Sequence, residues 1–144
     1  MRAGAQMGRW LSRTPELPAP EIALCSTARR VADTFCGFSP HLERRPLVQT
    51  DRALYLASAG QLLDAIQRVE DRYAALVVVG HNPGLHALAL QLVGGGDGDA
   101  AERLARKFPT AGLAVLRFPV GSWRDVEIRG GELLHFVTPR SPEG

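Results

Sequence analysis

The chain has 144 residues, a formal net charge of +2 and an apolar fraction of 45%, which together predict one globular domain over residues 1–144. The small charge gives no indication of nucleic-acid binding, and no run of about 18 apolar residues could span a membrane. No apolar signal segment opens the chain, and Cys25 and Cys36 lack a CxxC spacing, so we expect reduced thiols in a cytoplasmic protein. Cys25 lies in an apolar run and is expected in the core.

Hydrophobic periodicity divides the chain into alternating helices and strands. In chain order it predicts helix 2–13, a proline-rich connector, strand 21–25, helix 27–35, loop 37–45, strand 46–50, helix 58–73, strand 74–80, helix 83–93, a flexible glycine-rich loop 94–99, a basic helix 101–108, and strands 111–119 and 132–138. Strands that alternate with helices are typical of an α/β layer sandwich with a largely parallel sheet.

The segment VVVGHNPGL joins the most apolar of these strands to a helix. Asn82 is a favourable N-cap residue, and Pro83 suits the first helical position. His81 therefore lies where unpaired backbone N–H groups begin, and such helix starts bind anions. An ordinary turn whose histidine points into solvent explains the pattern equally well.

The segment CSTARR forms a second junction of the same kind, with Ser26 placed to cap the following helix. Arg29 and Arg30 fall in the first helical turn, where the helix dipole disfavours a cation and a bound anion would reverse that effect. The alternative is that the arginines lie on a solvated face. In a parallel sheet both junctions lie at the carboxyl edge, so an arginine and His81 could converge on a phosphate or carboxylate.

Other chemistries fit the sequence poorly. His81 and His86 are five residues apart, which is not the helical spacing of two zinc ligands, and no metal site is expected. GGGDGD lacks the Gly-Lys-Ser/Thr ending of a phosphate-binding loop and has too few carboxylates for a calcium loop, so it is interpreted as a linker. The basic residues of helix 101–108 have no interleaved aromatic residues, which favours a solvated helix face over a nucleic-acid interface.

Three segments in order, LCSTARRVADT, VVVGHNPGL and KFPTAGLAVL, resemble the histidine phosphatase superfamily, and most closely its SixA-like branch of phosphohistidine phosphatases. The resemblance runs from MGRWL to FVTPR. It implies a phosphoglycerate mutase-like three-layer α/β sandwich and phosphatase activity without a cofactor. It also implies a substrate that is a phosphorylated protein or a small phosphate ester.

The resemblance also assigns site residues. In the family, a first histidine in an Arg-His-Gly motif accepts the phosphoryl group, while arginines and a second histidine hold its oxygens. Arg30 matches the second arginine and His81 the second histidine, with Asn82 beside it as a further phosphate-binding residue. Asp51 is the nearest candidate for the family's acid, although a carboxylate that serves only a turn is an equal alternative.

The sequence departs from the family at its start. It contains no Arg-His-Gly motif, and the first strand of the family fold is missing. A start codon assigned too late, a fragment, or a genuine loss of chemistry could each explain the departure, and we favour a truncated form of a genuine phosphatase. The competing hypothesis is a non-catalytic module that binds phosphate or a phosphoprotein. An in-frame upstream Arg-His-Gly sequence would distinguish the two.

Overall fold

The computed structural model describes residues 2–139 and has a mixed α/β fold. Its elements in chain order are α1 Arg2–Ser12, β1 Ile22–Ser26, α2 Arg29–Phe38, β2 Leu47–Asp51, α3 Ala59–Gln67, β3 Leu76–Val79, α4 Gly84–Leu92, β4 Val93–Gly96, α5 Gly98–Arg106, β5 Leu113–Arg117 and β6 Gly131–Val137. Short 3₁₀ turns cover Ser39–His41, Arg52–Leu54 and Trp123–Asp125. Within the described residues, no helix is both long and apolar enough to cross a bilayer.

The strands form two sheets of three. The first has the order β2-β1-β3 and is entirely parallel, and the second has the order β4-β6-β5, in which β5 alone is antiparallel to its neighbour. The predicted α/β class with a largely parallel sheet is therefore confirmed. The division into two sheets was not predicted, and it leaves β3 and β5 as edge strands.

Helices cover both faces of the parallel sheet, and this explains why β1 is buried along its whole length. Successive residues of a strand point to opposite faces. Ala23 and Cys25 pack with Val31 of α2 on one face, while Ile22 and Leu24 join a larger cluster with α3 and α4 on the other. A strand buried on both faces needs a continuous apolar sequence, and IALC meets that need.

Several element boundaries differ from those predicted. The helix predicted at 58–73 begins close to where expected, because Ser58 and Gln61 form a capping box at its start. It ends at Gln67, six residues earlier than predicted. The helix predicted at 27–35 covers Arg29–Phe38, so most of the predicted loop at its end is helical or 3₁₀. Both errors are at ends, where tertiary packing rather than local pattern sets the length.

The flexible loop predicted at 94–99 is wrong at every residue except Asp97. Gly94–Gly96 belong to β4, which pairs with β6, and Gly98 and Asp99 begin α5, which was predicted to start at residue 101. Asp97 then caps α5 by accepting hydrogen bonds from the backbone N–H groups of Asp99 and Ala100. A Cβ atom on Gly94 would collide with the carbonyl oxygen of Arg129, and Gly96 has a φ of +114°. Glycine here permits close backbone packing rather than flexibility.

We expect Gly94→Ala to lower the free energy of unfolding by about 2 kcal/mol, since the backbone of Arg129 must move to admit the methyl group. Gly95→Ala is the matched control, because no atom lies within 4 Å of a Cβ built there. Urea denaturation of both variants measures the difference. Equal stabilities would contradict this account of the segment.

Candidate active site

The candidate site lies where β1 and β3 end at the same edge of the parallel sheet. Cys25 pairs in register with Val79, so Ser26 lies level with Gly80, and His81 follows directly. The Ser26 hydroxyl is 3.0 Å from Nε2 of His81 and within hydrogen-bonding distance. Ser26 is only 2% exposed, so the rigid end of β1 holds the histidine ring in place.

The interpretation of Ser26 as a helix cap is wrong. Ser26 is the last residue of β1, and its hydroxyl oxygen accepts a hydrogen bond from the Ala28 N–H at 3.0 Å. α2 begins at Arg29 with Ala28 at the N-cap position and no side-chain cap. The first turn of α2 therefore keeps backbone N–H groups for another acceptor and carries two arginines at its positive end.

A cavity of about 290 Å³ opens at this edge of the sheet. Arg30, His81 and Asn82 line it, together with Thr110 and Ala111 from the loop before β5. Arg29, its neighbour in the same turn, does not line the cavity. The structure thus brings together two of the side chains that the sequence suggested, Arg30 and His81, from separate strand-to-helix junctions. Their roles in binding phosphate stay predictions.

Asn82 links the His81 turn to the opposite wall of the cavity. Its side-chain amide donates a hydrogen bond to the carbonyl oxygen of Phe108 at 2.8 Å, and its side-chain oxygen accepts one from the His86 N–H at 3.1 Å. Pro83, predicted at the first helical position, is the N-cap residue, so α4 starts one residue later than expected. Asn82 precedes the N-cap residue, but its side-chain oxygen still accepts the hydrogen bond of a first-turn N–H, that of His86.

Asp51 is the last residue of β2 and pairs in register with Ser26, so it lies at the same sheet edge. One of its carboxylate oxygens accepts a hydrogen bond from the Ala53 N–H at 2.9 Å and caps a 3₁₀ turn. Asp51 is not one of the described residues that line the cavity. This geometry matches the turn carboxylate considered as the alternative, and the catalytic role of Asp51 stays a prediction.

Tyr55 contacts His81, which the sequence did not suggest. Its ring lies edge-on to the His81 ring, with centroids 5.6 Å apart and planes at 75°. The residue is 55% exposed and is not one of the described residues that line the cavity. An isolated tyrosine in a loop has no periodic or motif signal, and only the fold reveals this contact.

Cys25, His86 and His135 are held in contacts with the rest of the fold. Burial, with a smaller contribution from the negative charge of Cys36, raises the pKa of the Cys25 thiol to about 11, so it stays protonated at neutral pH. Nε2 of His86 donates to the carbonyl oxygen of Leu104 at 2.6 Å, and the ring of His135 packs against Trp10. No group of three histidine, cysteine, aspartate or glutamate side chains within residues 2–139 is placed to hold a metal ion.

The chain has close relatives in sequence. It is 39% identical over 142 residues to the uncharacterized protein Rv1276c of Mycobacterium tuberculosis, a match that covers 97% of this chain and 85% of that protein. It is 38% identical over 141 residues to the uncharacterized protein ML1117 of Mycobacterium leprae, with 97% and 83% covered. No family model matches the chain.

The fold has close relatives among solved structures. One is a protein of Nakamurella multipartitia whose structure is described under the name phosphohistidine phosphatase SixA. The two structures superpose with a TM-score of 0.82 at 27% sequence identity, over 96% of this chain and 80% of that one. The protein histidine phosphatase SixA in complex with tungstate matches the fold with a TM-score of 0.71 at 17% identity, over 96% and 80% of the two chains. In its fold, the chain is similar to the SixA-like phosphohistidine phosphatases of the histidine phosphatase superfamily.

Proposed function

We propose that the protein forms the phosphoryl-binding site of a phosphatase that works through a phosphohistidine intermediate. The observation that carries the proposal is the cavity shared by Arg30 and His81 at the carboxyl ends of two neighbouring parallel strands. A guanidinium and an imidazole from two separate junctions line one small space, and the guanidinium belongs to the first turn of α2, which has no side-chain cap. Such a set suits the oxygens of a phosphoryl group.

The proposed reaction has two transfers. A nucleophilic histidine nitrogen, supplied in an Arg-His-Gly sequence upstream of Met1, attacks phosphorus. The bond from phosphorus to the leaving group breaks, and the leaving group takes up a proton from solvent. Water then attacks the phosphohistidine and gives up a proton to solvent, the electron pair of the broken phosphorus–nitrogen bond returns to the histidine nitrogen, and inorganic phosphate leaves. Arg30 and His81 hold the equatorial oxygens in both steps, where charge stabilisation supplies much of the catalysis.

The proposed substrate is a phosphorylated histidine on a protein. The cavity is lined by the exposed residues Arg30 and Asn82, so a side chain carried by a large partner can reach it. The SixA-like structural neighbours are named for phosphohistidine phosphatase, which supports the same class. Small phosphate esters would also fit an open site. We place this activity in the cytoplasm. We also propose that it needs no metal ion, because Arg30 already supplies positive charge beside the bound phosphoryl group.

A non-catalytic module that binds phosphate or a phosphoprotein is the second candidate. The same cavity supports it, since binding requires Arg30 and His81 but no nucleophile. The genomic sequence immediately upstream of Met1 separates the two proposals. An open frame with an apolar strand and Arg-His-Gly favours the phosphatase, and a stop codon directly before Met1 favours the binding module.

Inorganic phosphate should raise the melting temperature of the 144-residue chain, because a ligand that binds only the folded state stabilises it. At a hundred times the dissociation constant the gain is about 2.7 kcal/mol, or roughly 5–10 °C for a domain of this size. Arg30→Ala should remove most of this shift. Differential scanning fluorimetry across a phosphate series measures it, and tungstate, which is bound to SixA in its solved structure, serves as a second probe.

Arg29→Ala is the matched control, since Arg29 carries the same charge in the same helical turn but does not line the cavity. It should retain the phosphate shift. If the two variants lose the shift equally, the stabilisation comes from general charge and not from the proposed site.

A further inference from the structure

Two apolar side chains in the segment between β2 and α3 are exposed close to the candidate site. Tyr55 is 55% exposed and Leu56 is 63% exposed. The Tyr55 ring packs edge-on against the ring of His81, with the centroids 5.6 Å apart. The part of the tyrosine ring that remains in water is accessible to a ligand. Tyr55 thus combines a contact with a site histidine with a surface that a ligand can reach.

The turn before Tyr55 is held by its own hydrogen bonds and by the core. The Asp51 carboxylate accepts a hydrogen bond from the Ala53 N–H at 2.9 Å and caps the 3₁₀ turn. Leu54, which directly precedes Tyr55, is 2% exposed and packs in the large cluster between the parallel sheet, α3 and α4. A buried leucine next in sequence limits how far the tyrosine can move.

The end of the segment packs directly on the helix that follows His81. A Cβ atom on Gly84, the first residue of α4, would collide with the carbonyl oxygen of Ala57. Glycine at this position allows the two backbones to touch. The segment that carries Tyr55 and the turn that carries His81 are therefore joined by backbone contact as well as by their rings.

The backbone beside Tyr55 is strained. Leu56 has a φ of +50°, in the left-handed region that a leucine rarely adopts. Its side chain is exposed, so burial of the leucine does not offset this cost. Strain of this kind is concentrated at segments that bind ligands. The fold thus maintains an unfavourable backbone conformation directly after the tyrosine that contacts the site.

The position of Tyr55 determines which part of a ligand it can meet. Tyr55 is not one of the described residues that line the cavity, whereas Arg30 and His81 are. A bare phosphate between Arg30 and His81 would occupy the cavity alone. A larger ligand has a further group bonded to phosphorus, and this group extends beyond the cavity lining, where the exposed part of Tyr55 lies next to His81.

We propose that Tyr55 is a specificity-determining residue, which contacts the group bonded to phosphorus and favours an aromatic ring at that position. Pairs of aromatic rings gain energy beyond the area that they bury, so an aromatic group is preferred over an aliphatic one of similar size. The imidazole of a phosphorylated histidine is such a ring. The inference rests on the proposed function, because it requires a phosphoryl group between Arg30 and His81.

Two stable phosphonates test this role on the 144-residue chain without turnover. Phenylphosphonate joins an aromatic ring directly to phosphorus, and cyclohexylphosphonate joins an aliphatic ring of similar size. Isothermal titration calorimetry should show about three- to tenfold tighter binding of phenylphosphonate. Tyr55→Phe keeps the ring and should keep this ratio. Tyr55→Leu should bring it below about twofold while the affinity for cyclohexylphosphonate stays unchanged.

Leu56→Ala is the matched control, since Leu56 is an equally exposed apolar residue of the same segment. It should retain the preference for phenylphosphonate. If Leu56→Ala and Tyr55→Leu lose the preference equally, the effect belongs to the segment as a whole and the role of Tyr55 is wrong. If Tyr55→Leu weakens both phosphonates by the same factor, Tyr55 acts only through His81, which also overturns the proposal.

The outcome also separates this inference from the proposed function. Binding of both phosphonates with equal affinity contradicts the role of Tyr55 and leaves the phosphoryl site in place. Binding of neither contradicts the phosphoryl site, and the role of Tyr55 with it. Nuclear Overhauser effects between the phenylphosphonate ring and Tyr55 provide a second measurement on the unmodified chain, which covers a variant that fails to fold. Their absence at saturating phenylphosphonate overturns the proposal.

Discussion

The 144-residue chain should release no phosphate from phosphohistidine, whereas a form extended upstream by an apolar strand and Arg-His-Gly should turn over. The expected difference is on the order of 10⁶-fold, the scale of losing the nucleophile in covalent catalysis. Of the histidines, His81 alone lines the cavity within the described residues, while Nε2 of His86 is bonded to the Leu104 carbonyl. A phosphate-release assay on both purified forms measures the effect.

Two further results bear on this first prediction. The extended form should keep its activity in the presence of a chelator, because Arg30 and His81 supply the charge that a metal would otherwise provide. Robust turnover by the 144-residue chain would show that one of its own side chains accepts the phosphoryl group. The roles assigned to Arg30 and His81 would then have to be revised.

The second large effect is expected from His81→Ala in the extended form. A donor that acts on the transition state is worth roughly 3–4 kcal/mol, so kcat should fall by about 10²- to 10³-fold. The fall should appear in single-turnover measurements, since the loss concerns the chemical step rather than product release. The melting temperature of the variant shows whether the loss of the Ser26 contact also affects folding.

His41→Ala is the matched control for this variant. His41 lies in the 3₁₀ turn after α2 and does not line the cavity, so its removal should leave turnover within about twofold. A change of less than threefold in His81→Ala would contradict the proposed role of His81. An equal loss in both variants would point to a general structural effect of removing a histidine.

The sequence was sufficient to predict the strands that carry the site because their signal is local. β1 and β3 are short apolar runs followed by residues typical of turns, so the predicted strands 21–25 and 74–80 end within one residue of the observed ends, Ser26 and Val79. Parallel pairing of β1 with β3 then brings the two junctions together, as expected for an α/β sheet. The choice of Arg30 over Arg29 followed from the family resemblance, and of the two only Arg30 lines the cavity; its role in binding phosphate stays a prediction.

Other features depend on contacts between distant residues and had no local signal. The strand character of Gly94–Gly96 depends on the backbones of Arg129 and Leu133, which glycine allows to approach closely. Composition alone favours a loop there. The contact of Tyr55 with His81 joins the loop after β2 to the end of β3, and no spacing in the sequence relates the two residues. The separation into two sheets likewise depends on which strands find partners.

The contact between Ser26 and His81 determines the orientation of the imidazole ring. The Ser26 oxygen accepts the Ala28 N–H, and the hydroxyl can still either donate to Nε2 of His81 or accept from it. In both cases the contact uses Nε2 and leaves Nδ1 outside it. A buried serine at the end of the neighbouring strand therefore limits how the ring can turn, so a ligand in the cavity would meet the histidine in one fixed orientation.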